Sequence, residues 1–264
     1  MWTEPQRGLR APRFHSGRTG SGFTARSPRS SRVKTKGVGL ALALLALPAC
    51  KDAPNAEAAF PAPHRPVAPI VSSRYSNEDA RDSVGEAETV LKLAGVRPGM
   101  AVADIGAGEG YYTVRLAPLV GPTGKVLAQD IVPETRDALA RRVERERLNN
   151  VAVKLGEAAD PKLPTGSFDR VFLIHMYHEI EQPLQFLWNL RPALKRDGSV
   201  VVVDADRPIM RHGMPPQLLI CEMESLGFTL QRYEKLPDAN AYFAQFAPDR
   251  PRPEPQDIPA CQGN

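Results

Sequence analysis

The chain of 264 residues offers little that could cross a membrane: its uncharged apolar run, Val38 to Leu47, falls well short of the about 20 residues a spanning helix needs. Cysteine is scarce at three, Cys50, Cys221 and Cys261, so stability must come from a packed core rather than from a dense disulfide framework. Acid is almost missing from the first fifty residues, where Glu4 stands alone against nine Lys and Arg. The formal net charge of +4 is therefore a property of that segment, because the remainder carries 25 basic and 29 acidic residues, a balance of −4. A nucleic-acid-binding domain should carry its own basic face. That class of partner is excluded. Methionine is absent between Met1 and Met100, which allows translation to begin at a non-Met codon nearer Val33.

What stands near the front is a leader. Lys34 and Lys36 precede the apolar run and Pro48-Ala49-Cys50 follows it, the arrangement of a secretory signal. Leu47-Pro48-Ala49-Cys50 resembles the bacterial lipoprotein box, with Pro48 in place of the commoner small or polar residue. The resemblance implies that residues 1–50 are a signal leader, that Cys50 is lipidated, and that the protein is membrane-anchored on the periplasmic side of the envelope. The alternatives are a plain cleaved signal or, if the leader is not real, a cytoplasmic protein. Residues 51–78 form a Pro- and Ala-rich linker, with Pro54, Pro61, Pro63, Pro66 and Pro69, and read as an extended spacer. Cys221 and Cys261 could pair in an oxidising compartment or remain two thiols.

The centre of the chain is Val102-Ala103-Asp104-Ile105-Gly106-Ala107-Gly108-Glu109-Gly110-Tyr111, followed by Tyr112 to Ala117. It reads as a buried strand, a glycine turn and an amphipathic helix with Val114, Leu116, Ala117 and Leu119 on its apolar side. Glycine removes the side chains that would keep a ligand off the main chain. A turn of this kind at the carboxyl end of a parallel strand is where open α/β sheets bind nucleotide-like ligands. The spacing Gly106-x-Gly108-x-Gly110 departs from the G-x-G-x-x-G of dinucleotide sites, which disfavours an NAD-dependent oxidoreductase. Asp104 is a poor neighbour for a pyrophosphate. It suits a cationic ligand or the pinning of the loop itself.

These residues, D-I-G-A-G-E-G, resemble the first motif of the class I S-adenosylmethionine-dependent methyltransferases. Three further segments are similar in order and spacing: Val126 to Asp130, Leu163 to Val171, and Leu190 to Val200. The resemblance implies an α/β fold, a doubly wound, mostly parallel seven-stranded sheet with an antiparallel last strand pair, over residues 79–247, followed by a Pro-rich tail at 248–264 that lies over the surface or is mobile. It also implies S-adenosylmethionine as cofactor, held by Asp104, Gly106, Ala107, Gly108 and Gly110, with Asp130 accepting the ribose hydroxyls and Glu157 near the adenine. Asp160 rivals Glu157.

Within that frame, Leu184, Leu187, Leu190 and Leu194 recur at helical spacing up to Gly198, and Val200 to Val203 read as a central strand. His175-Met176-Tyr177-His178-Glu179 follows the fourth strand, where His175, Tyr177 or His178 could help remove a proton from an acceptor. The order is not H-E-x-x-H and no third ligand can be singled out, so no metal is expected. His212 is a weaker candidate. The expected activity is methyl transfer to a small-molecule acceptor; the alternative is an envelope lipoprotein that keeps the fold as a binding or scaffold module. Cys50→Ser is expected to shift the protein from the membrane to the soluble fraction on cell fractionation. Continued membrane association would remove lipidation as the anchor.

Overall fold

The computed structural model describes residues 60–70 and 78–262. Residues 1–50, with Cys50, and the linker segments 51–59 and 71–77 lie outside the described residues. Two short helices, α1 (Glu78–Ser83) and α2 (Glu86–Leu93), lead into β1 (Ala101–Ile105). The chain continues through α3 (Tyr111–Val120), β2 (Lys125–Asp130), α4 (Pro133–Arg145) and β3 (Val151–Leu155). It then returns to β4 (Phe168–Ile174) and runs through α5 (Pro183–Leu190), β5 (Leu194–Asp204) and α6 (Pro216–Ser225). It closes with β6 (Thr229–Leu236) and β7 (Ala241–Ala247).

The sheet has seven strands in the order β3-β2-β1-β4-β5-β7-β6. β1 to β5 are parallel, and β7 pairs antiparallel with both β5 and β6. This is the Rossmann-like methyltransferase fold, with helices on both faces. Alternation along β1 divides the core: Val102 packs with α2 and α3 on one face, Ala103 and Ile105 with α5 and α6 on the other. Val200 to Val203 of β5 are wholly buried, as a strand covered on both faces requires. Pro133, Pro183 and Pro216 each open a helix, where a missing N–H leaves no bond unmade.

The helix expected to run to Gly198 stops at Leu190, because Pro192 tightens the next residues into a 3-10 turn, Arg191–Ala193. Gly198 lies inside β5, opposite a register slip between Phe168 and Arg170 of β4. A Cβ there would stand 2.6 Å from the Phe168 carbonyl oxygen, so this glycine allows the bulge rather than ending a helix.

Part of the expected spacer is built into the domain. Arg65, its side chain fully buried, pairs with Glu222 of α6 at 2.8 Å and donates to the carbonyls of Tyr177 and Ile180 at 3.4 and 3.2 Å. Ala68 N–H bonds the His178 carbonyl at 3.1 Å. The proline-rich composition describes the chain's inability to form its own core; it does not prevent docking on another. The tail likewise lies on the domain, with Arg252 over the Trp188 ring and the Trp188 indole N–H on the Pro253 carbonyl. Cys221 of α6 and Cys261 form a disulfide across 40 residues of chain. Loop closure over that length gives about 3–4 kcal/mol of stabilisation. Cys261→Ser should therefore lower the thermal unfolding midpoint, and reductant should do the same to the wild type only. An unchanged midpoint would mean that the tail's other contacts suffice.

Candidate functional site

The strand order reverses between β1 and β4. Their carboxyl ends leave a crevice that no crossover covers. A pocket of about 620 Å³ opens there, within the range of small-molecule sites. Its floor is the glycine turn Gly106-Ala107-Gly108, and its walls come from the segments after β2, β3, β4 and β5.

The turn is held from below and from the side. Ala107 N–H bonds the Gln129 carbonyl at 3.0 Å, and Gly108 N–H bonds Asp130 Oδ2 at 3.0 Å. Asp130 Oδ1 accepts from Val132 N–H at 2.9 Å, so one carboxylate ties the turn after β1 to the turn after β2. A carboxylate has about four lone-pair positions. Two remain for hydroxyls. Gly108, at φ 56°, has open space where a Cβ would be, whereas a Cβ on Gly106 would press on the Met176 side chain at 3.0 Å and one on Gly110 on Leu139 Cδ1 at 2.5 Å. Gly110 thus serves the packing of α3 on α4 and does not line the pocket. Gly106 and Gly108 do.

Asp104 also lies outside the pocket lining. Its carboxyl is buried beneath α3 and accepts the Thr113 hydroxyl at 2.6 Å; burial, opposed by that hydrogen bond, raises its pKa to about 6. It pins the start of α3. Glu157 lines the pocket near Ile131 and Val132, while Asp160 does not; Lys162 pairs with both acids at 3.3 and 3.1 Å.

The three candidates after β4 separate. Tyr177 is fully buried, its hydroxyl donating to Glu222 Oε2 at 2.8 Å, and burial raises its pKa strongly. It packs in the core and does not line the pocket. His175 lines the pocket at φ 53°, with Nε2 3.1 Å from Glu86 Oε2. His178 lines it too, with Nδ1 2.9 Å from Asp204 Oδ2.

Sequence reasoning missed Arg81 and Glu86, which precede the motif and belong to short helices with no signature of their own. Arg81 lies over the Tyr111 ring at 3.9 Å and pairs with Glu86 at 2.5 Å. Burial pushes the Glu86 pKa up, but hydrogen bonds and charge from His175 and Arg81 outweigh it and hold the group at about 2. Ile70 and Ile131 stand 51% and 36% exposed at the mouth, apolar surface that a bound ligand would cover. Gln129, 1% exposed, has no partner for either side-chain polar atom and faces Gly156 at the pocket edge.

Residues 102–198 match a family described as a methyltransferase domain. The chain is 40% identical over 85 residues to the nocamycin O-methyltransferase of Saccharothrix syringae, covering 32% of this chain and 30% of that one. It is 32% identical over 124 residues to the ubiquinone/menaquinone biosynthesis C-methyltransferase UbiE of Ectopseudomonas mendocina, 45% of this chain and 46% of the relative. It thus spans less than half the length of either. The crystal structure of a SAM-dependent methyltransferase from Aquifex aeolicus superposes with a TM-score of 0.59 at 26% identity, over 63% of this chain and 91% of that one.

Glu86 gives the site a pH signature. Its folded pKa of about 2 lies below its ordinary 4.5, so its stabilisation is complete above 4.5 and is lost as pH falls through about 2. Glu86→Gln is expected to reduce unfolding free energy at pH 7 by roughly 2–3 kcal/mol, measured by urea denaturation. The gap to wild type should close between pH 4.5 and 2. A gap that stays constant over that range would show that the charge is not what matters.

Proposed function

We propose that this protein is an S-adenosylmethionine-dependent methyltransferase that acts on a small molecule in the cell envelope. The observation that carries the reading is the pairing of Asp130 with the glycine turn. A buried carboxylate at the end of β2 keeps two acceptor positions for a ribose, beside a glycine whose missing side chain leaves room for the rest of a nucleoside.

The residues present fit the cofactor. Asp130 would take the ribose hydroxyls, Ile131, Val132 and Ala158 would flank the base, and Gly106 and Gly108 would lie against the amino-acid arm. Arg81 and Glu86 put one cation and one anion on the same wall, matching a zwitterionic amino acid. When bound, S-adenosylmethionine supplies an electrophilic methyl on an activated sulfonium. What remains for this chain is to hold the acceptor in line and exclude water, which is where most of the rate of such a transfer can arise. The acceptor end of the pocket is walled by His175, Met176, His178 and Phe186, with Arg207 and Arg211 beside them. That mixture suits a compact, partly polar acceptor. The Cys221–Cys261 disulfide supports an oxidising compartment and, with the leader, an envelope location.

The test is calorimetric titration of the full chain with S-adenosylmethionine, with NAD as control. Micromolar binding, about −8 kcal/mol, is expected for the first and none for the second. Asp130→Ala should weaken it by roughly 1–3 kcal/mol. Unchanged affinity in the variant would take Asp130 out of the site, and failure of both ligands would leave a scaffold module.

A further inference from the structure

Two loops at the carboxyl ends of β4 and β5 bring together side chains that the sequence keeps apart. Among the described residues, one group of three can offer ligand atoms to a metal ion: His178, Glu179 and His212, all within 4.8 Å of one another. All three line the pocket. His178 Nδ1 lies 2.9 and 3.1 Å from the two oxygens of Asp204, a carboxylate with no exposure that also accepts the Ala205 N–H at 2.8 Å. Nδ1 therefore carries the ring proton. The lone pair is on Nε2, 4.0 Å from Glu179 Oε1. A carboxylate bonded to the far nitrogen is the arrangement that fixes the tautomer and ring orientation of a histidine for metal ligation.

His212 arrives from the other side, its ring 5.6 Å from that of His178 and edge-on to it. Its backbone is set in the left-handed region at φ 56°, and Arg207 grips its carbonyl with two bonds of 3.1 and 3.0 Å. A histidine held in that conformation, against its usual preference, marks a position the surrounding structure determines.

We propose that His178 Nε2, a Glu179 oxygen and a His212 ring nitrogen bind a first-row divalent cation of the zinc type at the acceptor end of the pocket, with Asp204 as the positioning residue. Two imidazoles and one carboxylate suit zinc, cobalt or iron(II) better than calcium or magnesium, which prefer all-oxygen sites. Ligand atoms about 2.1 Å from a tetrahedral ion stand about 3.4 Å apart, so side-chain rotation of about an ångström closes the site. The fourth position faces the cavity and takes water or the hydroxyl or thiol of an acceptor, whose proton a bound cation makes easier to lose. That last role rests on the methyltransferase reading; ion binding does not.

The experiment uses the full chain, stripped with chelator, and the metal alone. Titration with Co²⁺ is expected to give the visible absorption of a tetrahedral site, saturating at one ion per chain and displaced by Zn²⁺. His212→Ala and Glu179→Gln, both partly exposed positions, should each weaken Zn²⁺ binding at least tenfold by calorimetry while circular dichroism stays native. Absence of saturable binding, or unchanged affinity in His212→Ala, would overturn the site. S-adenosylmethionine titrated into the same samples reports separately: metal bound without it would leave the ion site standing and remove the methyltransferase reading.

Discussion

The carboxylate of Asp130 is the contact on which the site depends. Parallel strands end with unpaired main-chain groups, and the turn after β1 is rich in glycine, which has no side chain to reach its neighbour. Asp130 bridges them by accepting one N–H from each, at 3.0 and 2.9 Å. The turn is thereby held open while its glycine faces the cavity, and the same carboxylate retains lone pairs for a ligand. A residue with no acceptor at this position would take the partner from two part-buried donors, each worth on the order of 1–3 kcal/mol if left unsatisfied.

The opposite wall is organised by buried charge. Arg65 reaches in from the segment before the domain, pairs with Glu222, and holds the carbonyls of Tyr177 and Ile180, while Tyr177 donates to the second Glu222 oxygen. An arginine buried here needs all of these acceptors, because an ion pair taken out of water is stable only when its remaining donors are satisfied. The consequence is positional. The loop carrying His175, His178 and Glu179 is fixed from outside the sheet, by a strap at residues 60–70 and by α6, which the disulfide ties to the tail. Packing of the strap and the tail thus acts on the end of the pocket lined by His175, His178 and Glu179, not only on overall stability.

The pocket divides its charges accordingly. At one end Arg81 and Glu86 meet beside Tyr111, and Glu86 remains ionised far below ordinary carboxylate values. At the other, Asp204 sets the tautomer of His178, and Arg207 sets the backbone of His212. Between them the lining is apolar, from Ile105, Met176 and Phe186. The proposed methyl transfer would use this division: charged groups at the two ends and an apolar middle that disfavours water.

Local patterning by itself determined most of the elements and their order, though not where the helix before β5 ends. The run Ala101 to Ile105, the three glycines and the apolar face after Tyr111 announce a strand, a turn and a helix, because burial on both faces and positive φ restrict residue choice at each position. The seven-stranded sheet is implied by the resemblance of four segments in register, and the same resemblance picks out Asp130, Gly106 and Gly108, which the structure places at the pocket. Roles that depend on who lies opposite were decided only by the tertiary structure. Asp104 and Gly110 sit in the motif yet serve α3, because Thr113 and Leu139 happen to be their neighbours. Tyr177 reads as a proton carrier in the sequence, but the fold buries it fully with its hydroxyl on Glu222, 45 residues away. His212 becomes a partner of His178 only when two loops meet over one crevice, and Arg65 leaves a spacer's composition to become part of the core. Sequence constrains what each residue can do with its neighbours along the chain; the sheet's crossovers decide which distant groups share a pocket, and no periodicity records that.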